Sequence, residues 1–542
     1  MVYSILYKKG NRQSDAHASH TIYDIQHTTY YPPLPASNTI YDMQHTIYAP
    51  LPSASHTIYD IQHTIYGSRG VTVMLVLAFM GIFALIVGSI TSYVLQQGKY
   101  GRALFAREQA LHIAEAGLEY YKWWLGHNQN GANLTSPTTA NYTVNDPEGG
   151  APLGSAEITA TPALQCGAVQ WIDLESKGTA SSSPNFPRTL LARYMQPSVA
   201  EYSNIFNTDI WYADTEATVG RVHSNGGIHM DGSNNADVTS KKSTWTCTYT
   251  NGCDPSATKP GVFGSGSGSA LWQYPASEIN FANMAVNFAT LKSYATTNGI
   301  YLDPTYVKVG DTQQAGTYSS VGGSDQKGYR LVFNSNGTVS VYKVTGTSYV
   351  WGAHADDFQW YKDYHTITSQ SLLGTYTIPA GCALIYSQAK TWIEGTVSRK
   401  ITIVAADTGS YNPDIVLNGN IGYTATDGSV GLTVLAERSV VIPVGSPDSM
   451  SIRGVFIAQG GYFGRSLYDC TYSPNDRRSS LTTNGTVVSN LLTTTQWLYG
   501  WCSGTSGYIN RTDSYDRLAA FSPPPFTPST SVDYRLNLWR EK

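Results

Sequence analysis

Two groups of polar residues have the types and the spacing that acid–base or metal chemistry would use. The denser group is the run HADDFQWYKDYH, which places Asp356, Asp357 and Asp363 beside His354 and His365. Carboxylates and histidines are the usual general acids and bases of hydrolases and lyases. The same side chains are also typical of a solvated loop, and a loop is the interpretation that we favour.

The second group lies in GRVHSNGGIHMDGSNNADVTS, residues 220–240, and consists of His223, His229 and Asp231. If the strand alternates, His229 and Asp231 share one face of a sheet. The spacing fixes no third acid or base nearby, whereas the Asn-Gly and Asp-Gly pairs indicate tight turns. We therefore interpret these residues as structural, and predict neither a catalytic nor a metal site.

Signatures of common enzyme families are missing from the sequence. It contains no GxSxG, no HExxH, no P-loop and no GxGxxG in a βαβ context. The sequence therefore predicts a protein that is not an enzyme and needs no cofactor. A membrane-anchored carbohydrate-active lyase or hydrolase stays open as the alternative, because such enzymes occur on β-solenoids with carboxylates on one face.

The six cysteines are the remaining reactive side chains, and none belongs to the CxxC pairs of a zinc ribbon. Proximity along the chain pairs Cys247 with Cys253 and Cys470 with Cys502. The other two cysteines are left over, either free or paired. Because six cysteines allow about 15 connectivities, spacing alone does not choose among them.

Composition bounds the class of protein. Charged residues make up 13% of the chain, about half the usual quarter, while Gly (50) and Tyr (39) are abundant. This balance is typical of extracellular β structure with many turns. The net charge is −4 and no Lys/Arg-rich tract stands out. We therefore predict no nucleic-acid partner.

The elements that would position these groups begin with an uncharged stretch at residues 71–95. At 1.5 Å per residue, about 25 helical residues reach roughly 37 Å, enough to cross a bilayer with some tilt. Residues 101–125 continue at helical spacing, so we predict one helix over 71–127. Small residues at three- and four-residue spacing let helices approach closely. We expect a stripe of them to pack on helices of other subunits: Ala103, Ala106, Ala110, Ala114 and Gly117.

These residues resemble the N-terminal module of type IV pilins, in particular PilX-type minor pilins and large pseudopilins. The resemblance covers roughly residues 67–200. It depends on an uncharged helix entered through Gly70 and Val71, just after Arg69, and on the stretch A-x3-A-E-A-G-x-E that follows it. It implies cleavage between Gly70 and Val71 by a prepilin peptidase. It also implies that other pilin or pseudopilin subunits bind through this helix.

One position departs from the family pattern. Major pilins carry a glutamate at the fifth mature position, where it pairs with the amino terminus of a neighbouring subunit, and Leu75 stands there in this chain. Some PilX-type and tip pseudopilins also lack this acid. The resemblance therefore implies a minor or tip position. An ordinary signal anchor is the alternative.

The resemblance also implies a location. The chain would be a single-pass membrane protein with an extracytoplasmic head, held in the inner membrane before assembly and found at the cell surface or in a pilus afterwards. Surface glycans, or the surface of a host or neighbouring cell, are then candidate ligands of the head.

Residues 1–70 contain a tandem repeat of period 18, beginning at Thr21, Thr39 and Thr57. Its units carry a Pro-rich break and few large aliphatic residues, so a packed core between repeats is not expected. We predict a disordered leader, or translated repetitive DNA upstream of the true start.

The rest of the chain predicts an α+β protein dominated by β structure. Alternating strands at 128–200 indicate a small pilin-like β head, and 201–380 a β-rich insert with one helix near 279–296. Short Val/Ile-rich strands separated by Gly, Asn and Asp at 381–465 favour a right-handed parallel β-solenoid over a sandwich. Residues 466–542 are predicted to form a C-terminal cap with a Pro-rich segment, in which a terminal strand or loop covers the open end of the solenoid.

Overall fold

A computed structural model describes residues 69–128, 134–310, 312–313, 327–407, 412–498 and 504–542. The repeats of period 18 and Cys502 lie outside these residues. The described residues contain a long N-terminal apolar helix, as predicted, and a large amount of β structure.

Helix α1 spans Arg69–His127, and its character changes along its length. Every side chain from Val71 to Arg102 is exposed. Further along, buried side chains recur at three- and four-residue spacing, which gives the helix one apolar face. These side chains are Ala106, Ala110, Ile113, Ala114, Leu118, Tyr121 and Leu125.

The apolar face of α1 is covered by four successive antiparallel strands. Alternation of buried and less buried residues along the second and fourth strands is the pattern of a sheet with one covered face. This is the layout that the alternating sequence at 128–200 predicts. The strands are β1 Thr138–Asn145, β2 Pro152–Gln165, β3 Ala168–Ala180 and β4 Arg188–Met195.

The large β region follows, from residue 202 to residue 514. Its first part consists of β5 Tyr202–Phe206, β6 Ile210–Tyr212, β7 Glu216–Val219, β8 Arg221–Ser224, β9 Ile228–Met230, β10 Ser233–Asn234, β11 Val238–Ser240, β12 Thr244–Cys247, β13 Ala257–Pro260, β14 Val262–Phe263 and β15 Trp272–Gln273. Two helices come next, α2 Phe281–Met284 and α3 Phe288–Asn298.

The middle part consists of β16 Ile300–Leu302, β17 Val307–Val309, β18 Thr312–Gln313, β19 Gly328–Phe333, β20 Thr338–Ala353 and β21 Trp360–Thr377. The last part consists of β22 Leu384–Ser387, β23 Lys390–Val397, β24 Lys400–Ala405, β25 Ile415–Tyr423, β26 Gly431–Ala436, β27 Val440–Val441, β28 Ser449–Ala458, β29 Phe463–Gly464, β30 Leu467–Tyr468, β31 Arg477–Ser489, β32 Gln496–Leu498 and β33 Thr505–Ser514. Helix α4 Arg517–Phe521 and β34 Arg535–Glu541 end the described chain.

Most strands of the large β region pair in parallel, with partners that lie in register. One ladder of paired positions runs Ile300, Ile385, Ile403, Val434, Phe456, Val487, Asn204, Val222, Val238 and Trp272. A second runs Phe333, Gly395, Ile421, Ile452, Thr483, Asp513, Thr218 and Asn234. Many of the apolar members belong to one continuous buried core.

These ladders change the boundaries that the sequence predicts for the parallel β segment and for the insert before it. Parallel pairing is not confined to 381–465, because strands from 202–273 and from 477–514 belong to the same sheet. The predicted insert at 201–380 is therefore part of the same β region. Local alternation cannot show this, because β5 pairs with β31, whose residues are far away along the chain.

The helix predicted near 279–296 is present as the two helices α2 and α3. The second helix starts anew because the side chain of Asn287 accepts a hydrogen bond from the backbone N–H of Thr290 at 3.1 Å. An N-cap of this kind satisfies a donor that a continuous helix would bond to its own backbone.

The C-terminal strand does not cover the end of a solenoid. Strand β34 pairs antiparallel with β4, with Leu536 opposite Tyr194, and becomes the fifth strand of the small sheet. Without it, β4 would be an unpaired edge, and natural sheets usually protect such edges. The small sheet, defined here as β1–β4 with β34, is thus built from both ends of the described chain.

Candidate functional site

The first half of α1 is the most prominent functional candidate. Within the described residues, α1 is the one helix long and apolar enough to cross a membrane, with a mean hydropathy of 2.7 in its most apolar window. Gly70 and Val71, where the resemblance places the cleavage, lie in its first turn. The uncharged side chains beyond them are exposed, so this surface is available to lipid or to other apolar helices.

The stripe of small residues packs on a different surface from the one that we expected. Ala110 and Ala114 are buried against the chain's own small sheet, Ala106 is also buried, and Ala103 is half-buried. A Cβ added to Gly117 would lie 2.5 Å from Oγ of Ser176. The small residues therefore do allow close approach, but the surface that approaches is the chain's own sheet and not a helix of another subunit.

The sheet contributes a matching small residue. A Cβ added to Gly178 of β3 would overlap the backbone carbonyl of Ala110 and lie 2.5 Å from the backbone nitrogen of Ala114. The backbone of α1 thus rests directly on the backbone of β3. Sequence inspection did not find Gly178, and a glycine inside an alternating strand is the signal that could have done so.

The cysteines form one pair that proximity predicts and one that proximity left open. The structure contains the expected Cys247–Cys253 disulfide, and a second one that joins Cys166 to Cys382 across 216 residues. Cys470 is also disulfide-bonded, while its expected partner lies outside the described residues. The two leftover cysteines are therefore paired with each other, which spacing could not show.

The Cys166–Cys382 disulfide joins the small sheet to the large β region. It lies at the tight turn between β2 and β3, where the backbone N–H of Cys166 donates to the carbonyl of Gly381 at 2.7 Å. The side chain of Gln165 adds two hydrogen bonds, to the carbonyl of Ala380 and from the N–H of Ala383. The turn and the segment before β22 are thus held together covalently and by hydrogen bonds.

His229 and Asp231 do meet, with 3.0 Å between Nε2 and Oδ2. The ring of His229 stacks between Trp211 and Phe263, at centroid distances of 5.4 and 4.3 Å. His223 lies apart from them, buried and hydrogen-bonded to Thr239 and Asn225. Contacts with other protein groups thus hold all three of these side chains.

His229 also lies beside a disulfide. Its ring nitrogen and the sulfur atoms of Cys247 and Cys253 are within 4.8 Å of one another, a spacing that could hold a metal ion. Zinc binds thiolates, whereas these sulfur atoms are joined to each other. Both ring nitrogens of His229 have protein partners as well, Asn251 and Asp231.

The run HADDFQWYKDYH contributes to a second structured group, beside a cavity of about 280 Å³. Nε2 of His354 lies 2.7 Å from Oδ1 of the buried Asp363, and the hydroxyl of Tyr468 donates to its other oxygen. Burial lowers the pKa of His365 to about 4, so this side chain is neutral at physiological pH. Asp356 and Asp357 stay exposed at the rim. The structure thus places all five residues of the predicted polar group around one cavity.

A buried ionic group that the sequence did not reveal lies between β7 and β33. Nη2 of Arg511 is 2.7 Å from Oδ2 of Asp513, and its Nη1 is 4.0 Å from Oε1 of Glu216. Burial raises the pKa of Glu216 to about 7, although Arg511 opposes the shift. Arg511 and Asp513 are two apart on one strand, which is a weak signal that they share a face.

Comparisons with known proteins include a distant structural likeness. No protein-family model matches the chain, and no curated protein matches it. Among solved structures, the chain is similar to the crystal structure of the competence-associated pilin ComZ from Thermus thermophilus. The identity is 13% and the TM-score is 0.27, over 81% of this chain and 97% of that chain.

Proposed function

We propose that this chain is a non-enzymatic minor pilin or pseudopilin-like subunit, of the PilX type, in a type IV pilus or a related secretion filament. The observation that carries the proposal is the division of α1. One continuous helix exposes only uncharged side chains over 71–95, and then packs its second half onto an antiparallel sheet. An ordinary signal anchor has no need for the second half.

The exposed half of α1 needs an apolar surrounding. Each Å² of apolar surface left in water forfeits about 25 cal/mol, so these side chains are stable in lipid or against other apolar helices. Because its own sheet covers α1 from Ala110 onward, we place the contacts with other subunits upstream, on a surface that includes Leu104 and Phe105. These two side chains are 50% and 68% exposed.

Processing and partners follow from the first turn of α1. We propose that a prepilin peptidase removes residues 1–70 while the helix is held in the inner membrane, with the head on the extracytoplasmic side. Leu75 cannot pair electrostatically with a neighbouring amino terminus. Partners are therefore expected to be other kinds of subunit, and the position a minor or tip one.

We also propose that the large β region is a right-handed parallel β-solenoid that serves as the adhesive head. The in-register parallel ladders support this, because each ladder continues through many strands in one direction.

The proposal is tested by identifying the amino-terminal residue of the mature protein. The full chain is expressed in a cell with an active prepilin peptidase, and membrane and filament fractions are analysed by mass spectrometry. We expect Val71 at the terminus. Gly70→Leu should leave an uncut precursor, whereas Gly67→Leu, the matched control three residues upstream, should be cut normally.

Assembly is read from the same fractions. Leu104→Glu with Phe105→Glu should spare cleavage and folding of the head but remove the protein from the filament fraction. Retention of residues upstream of Gly70 in the wild type, with no protein in any filament fraction, would show that the chain is an ordinary anchored protein.

A further inference from the structure

An unassigned cavity of about 490 Å³ opens in the large β region. Its walls come from β6, the loop after β12, the turn between β20 and β21, and the segment that ends in β32. Four aromatic rings line it, those of Trp211, Tyr249, Phe358 and Trp497. Tyr249 is 76% exposed. A cavity of this size, lined by rings and a few polar groups, has the make-up of a small-molecule site. We call it the aromatic cavity.

The loop that carries Tyr249 is held in place before any ligand arrives. The Cys247–Cys253 disulfide closes it, and the carbonyl of Asn251 accepts a hydrogen bond from Nδ1 of His229 at 2.7 Å. A binding loop that is already ordered loses little conformational entropy on binding. The disulfide and His229 therefore act as positioning groups for Tyr249.

The same network positions Trp211. Its Nε1 donates to Oδ2 of Asp231 at 2.9 Å, and its ring stacks on that of His229. Asp231 in turn accepts hydrogen bonds from the N–H and the hydroxyl of Ser265. The polar motif at 220–240 is thus used to fix an aromatic wall of the cavity.

The opposite wall contains a strained residue. Phe358 has a φ of 58°, in the left-handed region that bulky residues rarely adopt. The turn is held by hydrogen bonds between the backbones of His354 and both Phe358 and Gln359, and the ring of Phe358 meets Trp497 edge-on at 6.0 Å. Strain of this kind persists where the surrounding structure enforces it, and it is concentrated at binding sites.

Buried polar atoms that lack partners lie at the floor. Among the described residues, no hydrogen-bond partner exists for Oε2 of Glu216, Oγ1 of Thr493, Oγ1 of Thr495 or Nε of Arg511. All four residues are buried, and all four line the aromatic cavity. Each unsatisfied buried polar group costs about 1–3 kcal/mol, so native proteins normally satisfy them. A ligand with several hydroxyl groups would do so here.

The charge of the cavity disfavours strongly anionic ligands. Arg511 is the only basic residue among the described residues that line it, and its guanidinium already contacts Asp513. The residues that line the cavity therefore offer little positive charge to a phosphate group. Proteins that stack nucleic-acid bases on aromatic rings normally do so in a basic groove. With a pKa of about 7, Glu216 is partly protonated near neutral pH and can donate as well as accept.

We propose that the aromatic cavity binds a neutral hexose residue of a glycan. A pyranose ring has an apolar face of C–H groups, which would lie on Tyr249 and Trp211, and a belt of hydroxyls that donate and accept. Those hydroxyls would meet Glu216 and Thr495 at the floor. The proposal deepens the adhesive role proposed above, but binding is measurable whether or not the chain enters a filament.

The test uses the full chain, purified in a detergent without a sugar headgroup, on an array of neutral, sialylated and sulfated oligosaccharides. The best neutral oligosaccharide is then titrated by calorimetry. Tyr249→Ala should weaken binding about tenfold. Thr495→Val should weaken it about threefold to tenfold, as expected for one hydrogen bond, without unfolding the protein, because it removes an unsatisfied hydroxyl. Trp360→Ala, an exposed ring outside the cavity, is the matched control and should bind as the wild type does.

Three outcomes would overturn the proposal: no neutral oligosaccharide retained above background, equal binding by the wild type and both cavity variants, or retention of acidic oligosaccharides alone. Thermal unfolding of each variant shows that a loss of binding is not a loss of fold. Normal cleavage and assembly together with no glycan binding would reject this inference and leave the proposed filament role standing.

Discussion

The small sheet and the large β region bury their side chains in two different ways. In the small sheet one face is covered by α1, so buried and less buried residues alternate along β2. In the large β region β22 and β26 are buried at every position. Parallel strands that are covered on both sides have this property, and sheets covered on one side alternate.

The difference determines where polar residues go. The small sheet leaves most of them in solvent, whereas the large β region buries Thr402, Thr433 and Thr486 inside its strands. All three hydroxyls bond the C-terminal segment or the backbone of β5: Thr402 donates to the carbonyl of Pro525, Thr433 contacts Thr527, and Thr486 donates to the carbonyl of Tyr202. A buried polar group without such a partner is costly. Several of the side chains that lack one line the aromatic cavity, among them Glu216, Thr493 and Thr495.

The largest effect on stability is expected at the disulfide that connects the two regions. Replacing Cys166 and Cys382 by Ser removes a closure of 216 residues, which the chain-entropy model values at about 5 kcal/mol. Hydrogen exchange should show earlier opening of β2 and β3 relative to β26. Unchanged protection in both regions would mean that hydrogen bonds alone hold them together.

The next largest effect is expected from a change in the packing of α1 on the small sheet. Gly178→Val should cost about 3 kcal/mol, because its side chain would overlap the backbone of α1 and the helix could not approach. Limited proteolysis should cut α1 while the large β region stays intact. Gly126→Ala is the control on the same helix, since a Cβ there meets nothing within 4 Å. If both variants resist protease equally, α1 does not rest on β3.

The stability of the large β region should depend on pH through a buried side chain, in contrast to that of the small sheet. Glu216 has a folded-state pKa of about 7, above its ordinary 4.5, because burial disfavours its charge. The folded state therefore binds more protons between these two values, and stability falls as pH rises through this window. Arg511, Asp513 and Tyr212 are the titratable groups that act on it.

Glu216→Gln removes this dependence. At pH 8 the variant should exceed the wild type by on the order of 3 kcal/mol, and the difference should vanish near pH 4.5. His365, whose pKa is lowered to about 4, destabilises both proteins in acid and cancels in the comparison. Urea unfolding of the two proteins across pH is the measurement. A constant difference at every pH would contradict the assignment.

The smallest effect on stability is expected from the short disulfide. Its loop spans 6 residues, so Cys247→Ser with Cys253→Ser should cost about 2 kcal/mol, less than half the loss at Cys166 and Cys382. The change should fall on the loop of Tyr249 and leave the small sheet untouched. Equal losses for the two disulfides would argue against the chain-entropy account.

Features with a local signal were predictable from the sequence. The uncharged run predicts the long apolar helix, and alternation predicts the strands from β1 to β4. Turn residues between Gly328–Phe333 and Thr338–Ala353 predict their antiparallel hairpin. Each of these depends on neighbours within a few residues, where side-chain spacing and backbone geometry are directly coupled.

Contacts between distant segments were decided only in the tertiary structure. The sequence alone does not indicate that β34 completes the small sheet, that Cys166 finds Cys382, or that β5 lies beside β31. The small-residue stripe of α1 was visible in the sequence, but its partner was not, since a helix and a sheet accept such a stripe equally well. Periodicity specifies which face of an element is buried. Which surface covers that face depends on how the whole chain closes, because partners far apart in sequence leave no mark on each other's local pattern.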